Sequence, residues 1–119
     1  MSRDRQRLID YLAHMQEAIE RINRYTEDID ELAFLHNGLV QDAVIRNLEI
    51  LGEASNNILK HYPDFSTRHP ELPLAFAYQM RNAVAHGYFK VDYEIVWKTI
   101  HADLPVLYGQ VQHVVDNIV

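Results

Sequence analysis

The chain has 119 residues, a length that predicts one compact domain spanning residues 1–119. Its 11 lysines and arginines against 17 aspartates and glutamates give a net charge of −6, so the overall charge predicts no binding to DNA or to a membrane surface. The absence of cysteine excludes disulfides and thiolate metal sites, and no apolar run reaches the roughly 18 residues of a membrane span, so we expect a soluble, cytoplasmic protein.

The first half of the chain predicts two long helices with a short helix between them. Apolar residues recur at steps of one, three or four along residues 2–25, the pattern of an amphipathic helix. An acidic cluster follows at residues 27–31, where Thr26 is expected to cap a short helix whose first turn favours carboxylates. A second long helix is predicted for residues 39–61, and Gly52 inside it indicates close contact with another helix.

The second half predicts a loop and two further helices. Between Pro63 and Pro73, residues 64–72 are the best loop candidate, because the prolines of this region resist continuation of a helix. A third helix is predicted for residues 74–85, and Asp92 is expected to cap a last helix that reaches the C-terminus with a kink at Pro105. No segment alternates like a strand, so the fold class is all-α, an up-down bundle of four to five helices.

The basic residues are concentrated in one region. Residues 54–91 carry a net charge of +2, whereas the rest of the chain sums to −8, and no acidic residue occurs from 72 to 91. The cations of this region are Lys60, Arg68, Arg81 and Lys90. A polyanion that binds this protein is therefore expected to bind here.

Within this region, residues 81–88 have the sequence RNAVAHGY. On a regular helix Arg81 and His86 would lie about 140° apart, but Gly87 is placed to end the helix in a left-handed turn, which lets the imidazole swing back. A helix C-terminus favours the protonated imidazole, and a guanidinium can hold a phosphate bidentately, so the pair suits phosphodiester chemistry. Ordinary surface and capping roles are the alternative, and the spacing alone leaves the two open.

The same octapeptide matches the Arg-x4-His-x-Tyr signature of HEPN-domain toxins, including the polar residue after the arginine. The closest resemblance is to the HepT-like branch. Residues 42–54 resemble the second helix of that branch, residues 92–97 resemble the opening of its last helix, and residues 103–105 fit as well. The resemblance extends from about residue 8 to residue 115 and implies a single HEPN-like helical domain.

This resemblance implies the toxin of a two-gene, type VII-like toxin–antitoxin module that acts as a metal-independent ribonuclease without a cofactor. Arg81 would stabilise the phosphorane-like charge, and His86 would act as general base or acid while the ribose 2′-OH attacks the adjacent phosphate. Asn82 would orient the phosphate or the imidazole. The expected products carry 2′,3′-cyclic phosphate and 5′-OH ends.

The resemblance also implies an antidote. The partner would be a minimal nucleotidyltransferase of the MntA type, which modifies Tyr88 with AMP so that the added phosphate charge repels RNA. An alternative role for Tyr88 is an aromatic ring that packs back on the preceding helical turn, and both roles can hold together.

A homodimer is expected, because family toxins pair two protomers so that two motifs line one cleft. Two superposed regions of charge +2 would also form a more usable groove for RNA than one. Phe76, Tyr78 and Phe89 are candidates for the interface, and burial in the core is the alternative for each.

Arg46, Glu49 and Glu53 can share one helix face because they are spaced at i, i+3 and i+7. We interpret them as a structural ion network that supports Arg81. Direct catalytic use is the alternative, but carboxylates beside an RNA groove would oppose phosphate binding.

The remaining histidines predict no metal site. His101 and Asp103 lack a third nearby ligand, and His14 and His36 are interpreted as surface or core residues. Two other classes of function stay open: a non-catalytic helical partner of a minimal nucleotidyltransferase, in which the motif is a docking and modification site, and a purely structural helical protein.

Overall fold

The computed structural model describes residues 3–86 and 91–118, and for residues 83–86 it describes the helix without the side chains. These residues form helices and no strand, which confirms the all-α class. No helix in these ranges is long and apolar enough to cross a membrane. The helices are α1 (Arg3–Thr26), α2 (Glu31–Leu35), α3 (Gly38–His61), α4 (Pro63–Arg68), α5 (Leu74–His86), α6 (Tyr93–Ala102) and α7 (Leu104–Asn117).

The four longest helices form the body of the bundle. Helix α3 packs between α1 and α5, and α7 covers another side of α1. The predicted apolar stripe of α1 is buried in this body: Leu8, Leu12, Met15, Ile19 and Ile22. Because burying a side chain of this size contributes about 1.5–3 kcal/mol, the stripe alone explains why α1 is held against α3.

The acidic cluster after α1 is capped by a different residue from the one predicted. The Asp30 side chain accepts a hydrogen bond from the backbone N–H of Ala33 at 2.9 Å and so begins α2. Thr26 is instead the buried last residue of α1, and its hydroxyl donates to the Ile22 carbonyl oxygen at 2.8 Å. The Thr26 oxygen is therefore engaged within its own helix, and the predicted cap was wrong.

The segment predicted as a loop contains a helix. Pro63 occupies the first turn of α4, where the missing N–H of proline costs no hydrogen bond. Phe65 is buried and holds this short helix against the bundle. Only residues 69–73 remain outside a helix, so the loop prediction was wrong for residues 64–68.

The predicted last helix is two helices. Asp92 caps α6 as expected, accepting from the N–H groups of Glu94 and Ile95 at 3.0 and 3.3 Å. The helix ends at Ala102, however, and Pro105 lies in the first turn of α7. Proline has no N–H to donate to the carbonyl one turn back. The chain therefore breaks into two helices here, whereas a kink within one helix was predicted. This break and α4 raise the helix count of the described residues to seven.

Candidate active site

Helices α3 and α5 approach each other closely at Gly52. A Cβ atom at this position would overlap the Cβ of Arg81, and would lie 2.6 Å from the Arg81 Cγ and 3.1 Å from the Ala77 carbonyl oxygen. The close contact predicted for Gly52 is confirmed, and the residue on the other helix is Arg81. Glycine at position 52 therefore lets the stem of Arg81 lie directly on α3.

The guanidinium of Arg81 is held by two neighbours. Its Nη2 forms an ion pair with Glu53 Oε1 at 2.5 Å, and its Nη1 donates to Asn82 Oδ1 at 3.0 Å. Its Nε is buried and has no hydrogen-bond partner among the described residues. Since guanidinium carries five N–H donors, one donor on each Nη atom remains for an anion that approaches the exposed side of Arg81.

The contact with Glu53 positions Arg81 more than it stabilises the fold. The Arg81 side chain is 26% exposed and that of Glu53 is 53% exposed, so water screens the pair. Pairs of this kind contribute about 0–1 kcal/mol. Their geometric effect is larger, because the carboxylate and the Asn82 amide together restrict where the planar guanidinium can lie.

The other predicted site residues differ in whether they contact Arg81. Asn82 is half-buried directly beside Arg81. Arg46 and Glu49 form their own pair at 4.0 Å, with Arg46 71% exposed, and no contact within the described ranges joins this pair to Arg81. His86 is the last residue of α5, and its side chain lies outside the described residues together with Gly87 and Tyr88.

A cleft of about 230 Å³ borders Glu53. Besides the predicted Arg46 and Glu53, it is lined by Tyr11, His14 and Asn57, which the sequence analysis did not assign to a site. Asn57 could have been found, because it continues the helix face of Arg46 and Glu53 at steps of seven and four. Tyr11 and His14 could not, since only the packing of α1 on α3 brings them there.

A larger cleft of about 550 Å³ lies elsewhere, between the start of α1, α4 and the end of α7. It is lined by Arg5, Arg68 and His69 among others, but by neither Arg81 nor Asn82. The larger cleft therefore does not contain the guanidinium of Arg81. We place the candidate site at Arg81 because its positive charge is held in position there. Among the described side chains, those of residues 3–82 and 91–118, no group of three or more histidine or acidic residues is arranged to hold a metal ion.

The chain is similar to known proteins over most of its length. The family model described as "Ribonuclease HepT-like" matches residues 15–114, a range that includes Gly52, Glu53, Arg81 and residues 82–88. A protein of Thermococcus cleftensis with the name "Probable ribonuclease HepT" is 46% identical over 101 residues, which cover 85% of this chain and 89% of that protein.

A Methanocaldococcus jannaschii protein with the name "Putative RNase MJ1380" is 36% identical over 102 residues, covering 86% of this chain and 91% of that protein. A Caldanaerobacter subterraneus protein with the name "Putative RNase TTE0752" is 32% identical over 107 residues, covering 90% and 93%. No solved structure shows a significant match. The resemblance inferred from residues 81–88 is thus confirmed, and the chain belongs to the HepT-like ribonuclease family.

Proposed function

We propose that this protein is a ribonuclease that cleaves RNA in the cytoplasm without a metal ion, as the toxin of a toxin–antitoxin pair. The observation that carries the proposal is Arg81, oriented by Glu53 and Asn82 inside a chain of the HepT-like family. A guanidinium fixed in advance can neutralise charge that develops on a phosphate without reorganising during the reaction.

In the proposed reaction the ribose 2′-oxygen forms a bond to the adjacent phosphorus while the bond from phosphorus to the 5′-oxygen breaks. His86 takes the proton from the 2′-OH or supplies one to the leaving 5′-oxygen. The free donors on the two Nη atoms of Arg81 bind the non-bridging phosphate oxygens, and the Asn82 side-chain amide is adjacent. The products carry 2′,3′-cyclic phosphate and 5′-OH ends.

A homodimer is part of this proposal. Phe76 is 45% exposed and Val106 is 59% exposed, and both line a cleft of about 320 Å³ where α5 meets α7. Exposed large apolar side chains that line a cleft are typical of a protein contact surface. Tyr78 is half-buried, and Phe89 lies outside the described residues. Sedimentation of the protein with and without Phe76→Glu tests this surface, and a monomeric wild type would contradict it.

We further propose that a minimal nucleotidyltransferase neutralises the toxin by AMPylation of Tyr88. Tyr88 follows Arg81 by seven residues in the chain, so a phosphate on it would add negative charge to the motif that we propose binds RNA. Tyr88→Phe should remain toxic while escaping the antitoxin. Full neutralisation of that variant by the co-expressed nucleotidyltransferase would overturn this part.

Cleavage of total RNA in EDTA tests the main proposal, with wild type beside Arg81→Ala and His86→Ala. Cutting by the wild type alone, with fragments that end in 2′,3′-cyclic phosphate, is the expected result. Circular dichroism of each variant separates loss of chemistry from loss of folding. Equal cutting by all three proteins would contradict the assigned roles.

A non-catalytic partner of a nucleotidyltransferase is the second candidate function. It is favoured by the ion pair of Arg81 with Glu53 at 2.5 Å, because a carboxylate beside the guanidinium opposes the binding of an RNA phosphate. The cleavage assay decides between the two functions, because a docking protein would leave RNA intact. For a docking protein, Arg81→Ala would instead weaken binding to the nucleotidyltransferase.

A further inference from the structure

A groove runs between α1 and α3 and begins beside the Glu53 carboxylate that pairs with Arg81. It consists of the 230 Å³ cleft and a second cleft of about 390 Å³, which meet at Tyr11. We call it the α1–α3 groove. Its polar and aromatic lining residues are Asp4, Arg7, Tyr11, His14, Arg46, Glu53, Asn57, His61 and Tyr62.

The shape of the α1–α3 groove suits an extended ligand. Its residues on α3 run from Arg46 to His61 at steps of seven, four and four, so they lie on one helix face over about 22 Å. The lining residues of α1 run in the opposite direction along the facing side. A groove of this length fits a chain-like molecule better than a single small metabolite.

Three aromatic rings form a row along the groove. Tyr11 packs edge-on against Tyr62 on one side and His14 on the other, with both pairs of ring centroids 6.4 Å apart. The Tyr62 hydroxyl donates to the Asp4 carbonyl oxygen at 2.6 Å, which fixes that ring. Ordered aromatic rings in a groove are the surface on which unpaired bases stack in proteins that bind single-stranded nucleic acids.

The charges of the groove suit a phosphate backbone. Arg7 and Arg46 are exposed, and the ion pair of Arg46 with Glu49 is at the 4.0 Å limit of such contacts. Of the groove's two carboxylates, that of Glu53 is already neutralised by Arg81. Although the protein has a net charge of −6, the groove has as many arginines as carboxylates in its lining. The half-buried amide of Asn57 adds a donor and an acceptor for a base edge.

We propose that the α1–α3 groove binds the single-stranded RNA segment that flanks the scissile phosphate at Arg81. Bases stack on the row formed by Tyr62, Tyr11 and His14, and Arg46 and Arg7 contact the phosphates. This inference rests on the proposed ribonuclease function and adds to it the path of the substrate. A duplex would not use the aromatic row, because its bases are already stacked on each other.

Binding is measured with full-length protein and a fluorescent 2′-O-methyl oligouridylate, which lacks the 2′-OH and therefore stays uncut. His14→Ala and Arg46→Glu each remove an exposed group, so neither should disturb the fold. We expect each to raise the Kd about fivefold or more. Arg46→Ala should reduce the steepness of the salt dependence by about 0.7, the effect of one lost phosphate contact on a single strand.

Two exposed residues outside the groove provide matched controls. Lys98→Glu changes the net charge as much as Arg46→Glu, and His113→Ala removes an exposed histidine as His14→Ala does. Both controls should bind within about twofold of wild type, a difference of about 0.4 kcal/mol, because neither residue lines the groove. Equal weakening by Lys98→Glu and Arg46→Glu would overturn the groove as a specific path.

A cleavage arm separates failure of the groove from failure of the proposed function. If His14→Ala and Arg46→Glu bind and cut RNA like the wild type while Arg81→Ala abolishes cutting, the groove proposal is overturned. The proposed ribonuclease function is then retained. A wild type that cuts no RNA would overturn the ribonuclease function, and the binding measurements then judge the groove directly. Loss of binding to a nucleotidyltransferase with unchanged RNA binding would make the groove a protein-contact surface and overturn the proposal.

Discussion

Glu53 and Asn82 each engage one outer nitrogen of Arg81, so the guanidinium is held at two of its three nitrogens. Its third nitrogen, Nε, is buried without a partner among the described residues. The position of the guanidinium therefore depends on these two contacts and on the glycine beneath its stem. At the scale of single residues, a change that removes either contact should affect cleavage before it affects the fold.

Replacing Arg81 by lysine tests whether the reaction needs the planar guanidinium and its paired N–H donors. Lysine keeps the positive charge, but one ammonium cannot donate to Glu53, Asn82 and a phosphate with the same geometry. We expect Arg81→Lys to cut RNA at least about tenfold more slowly, and Arg81→Ala about 100-fold to 1,000-fold more slowly. Single-turnover cleavage of a short RNA measures both, and wild-type activity of the lysine variant would refute bidentate contact.

Replacing Glu53 by glutamine separates positioning from charge. The amide keeps the size of the side chain but loses the ion pair with Arg81, so we expect kcat to fall. KM should fall as well, because a negative charge beside the phosphate site is removed. Glu17→Gln is the control, since Glu17 pairs with Arg21 on α1 and neither residue lines the α1–α3 groove. Unchanged kcat and KM in Glu53→Gln would show that Glu53 has no positioning role.

At the scale of elements, the site depends on how closely α5 lies on α3. Gly52 sets that approach, while the caps and prolines at the other helix ends decide only where each helix begins. The contact of α3 with α5 thus serves two purposes, since the same packing that buries Ala77 also positions Arg81.

Gly52→Ala should lower the free energy of unfolding by about 1–3 kcal/mol, because the new methyl group overlaps the stem of Arg81. Gly109→Ala on α7 is the matched control. A Cβ there meets nothing within 4 Å, so this change should raise stability by about 0.5–1 kcal/mol through helix propensity. Urea unfolding of both variants measures the difference, and equal stability of Gly52→Ala and wild type would refute the close approach.

At the scale of the whole molecule, α1 is the link between the two sides of the bundle. It packs on α3 through its apolar stripe and is joined to α7 by polar contacts far apart in the chain. Gln16 donates to Gln112 at 2.8 Å, and the Tyr108 hydroxyl donates to Glu20 at 2.6 Å. These contacts hold the C-terminal helix against the same α1 that lines the α1–α3 groove.

Tyr108→Phe tests this connection through its pH dependence. The hydrogen bond to Glu20 raises the pKa of Tyr108 above its ordinary value of 10.0, with burial and the Glu20 charge adding to the effect. A raised pKa means that the stabilisation is present at neutral pH and is lost as pH rises above about 10. We expect Tyr108→Phe to lower the free energy of unfolding by about 1 kcal/mol at pH 7.

The difference between wild type and Tyr108→Phe should shrink at alkaline pH, which urea unfolding over a pH series measures. Tyr25→Phe is the control, because Tyr25 is exposed and makes no hydrogen bond within the described residues. A difference that stays constant through pH 11 would show that the hydrogen bond to Glu20 does not link the two helices.

Periodic apolar residues were sufficient to predict the helical class, α1, α3 and α5, because a buried stripe requires a particular spacing whatever it packs against. The cap at Asp92 was also predictable, since it involves only neighbouring residues. The predictions for Thr26, residues 64–68 and Pro105 failed because the same residue types both end and begin helices, and burial decides which.

For the site, the octapeptide of residues 81–88 was enough to single out Arg81 and to indicate the family. Tertiary packing alone decided that Gly52 lies under Arg81, that Glu53 pairs with it while Arg46 does not, and that Tyr11 and His14 border the same cleft. The physical reason is distance along the chain. Spacing within one helix shows which residues share a face, but only the packed bundle shows which face it meets.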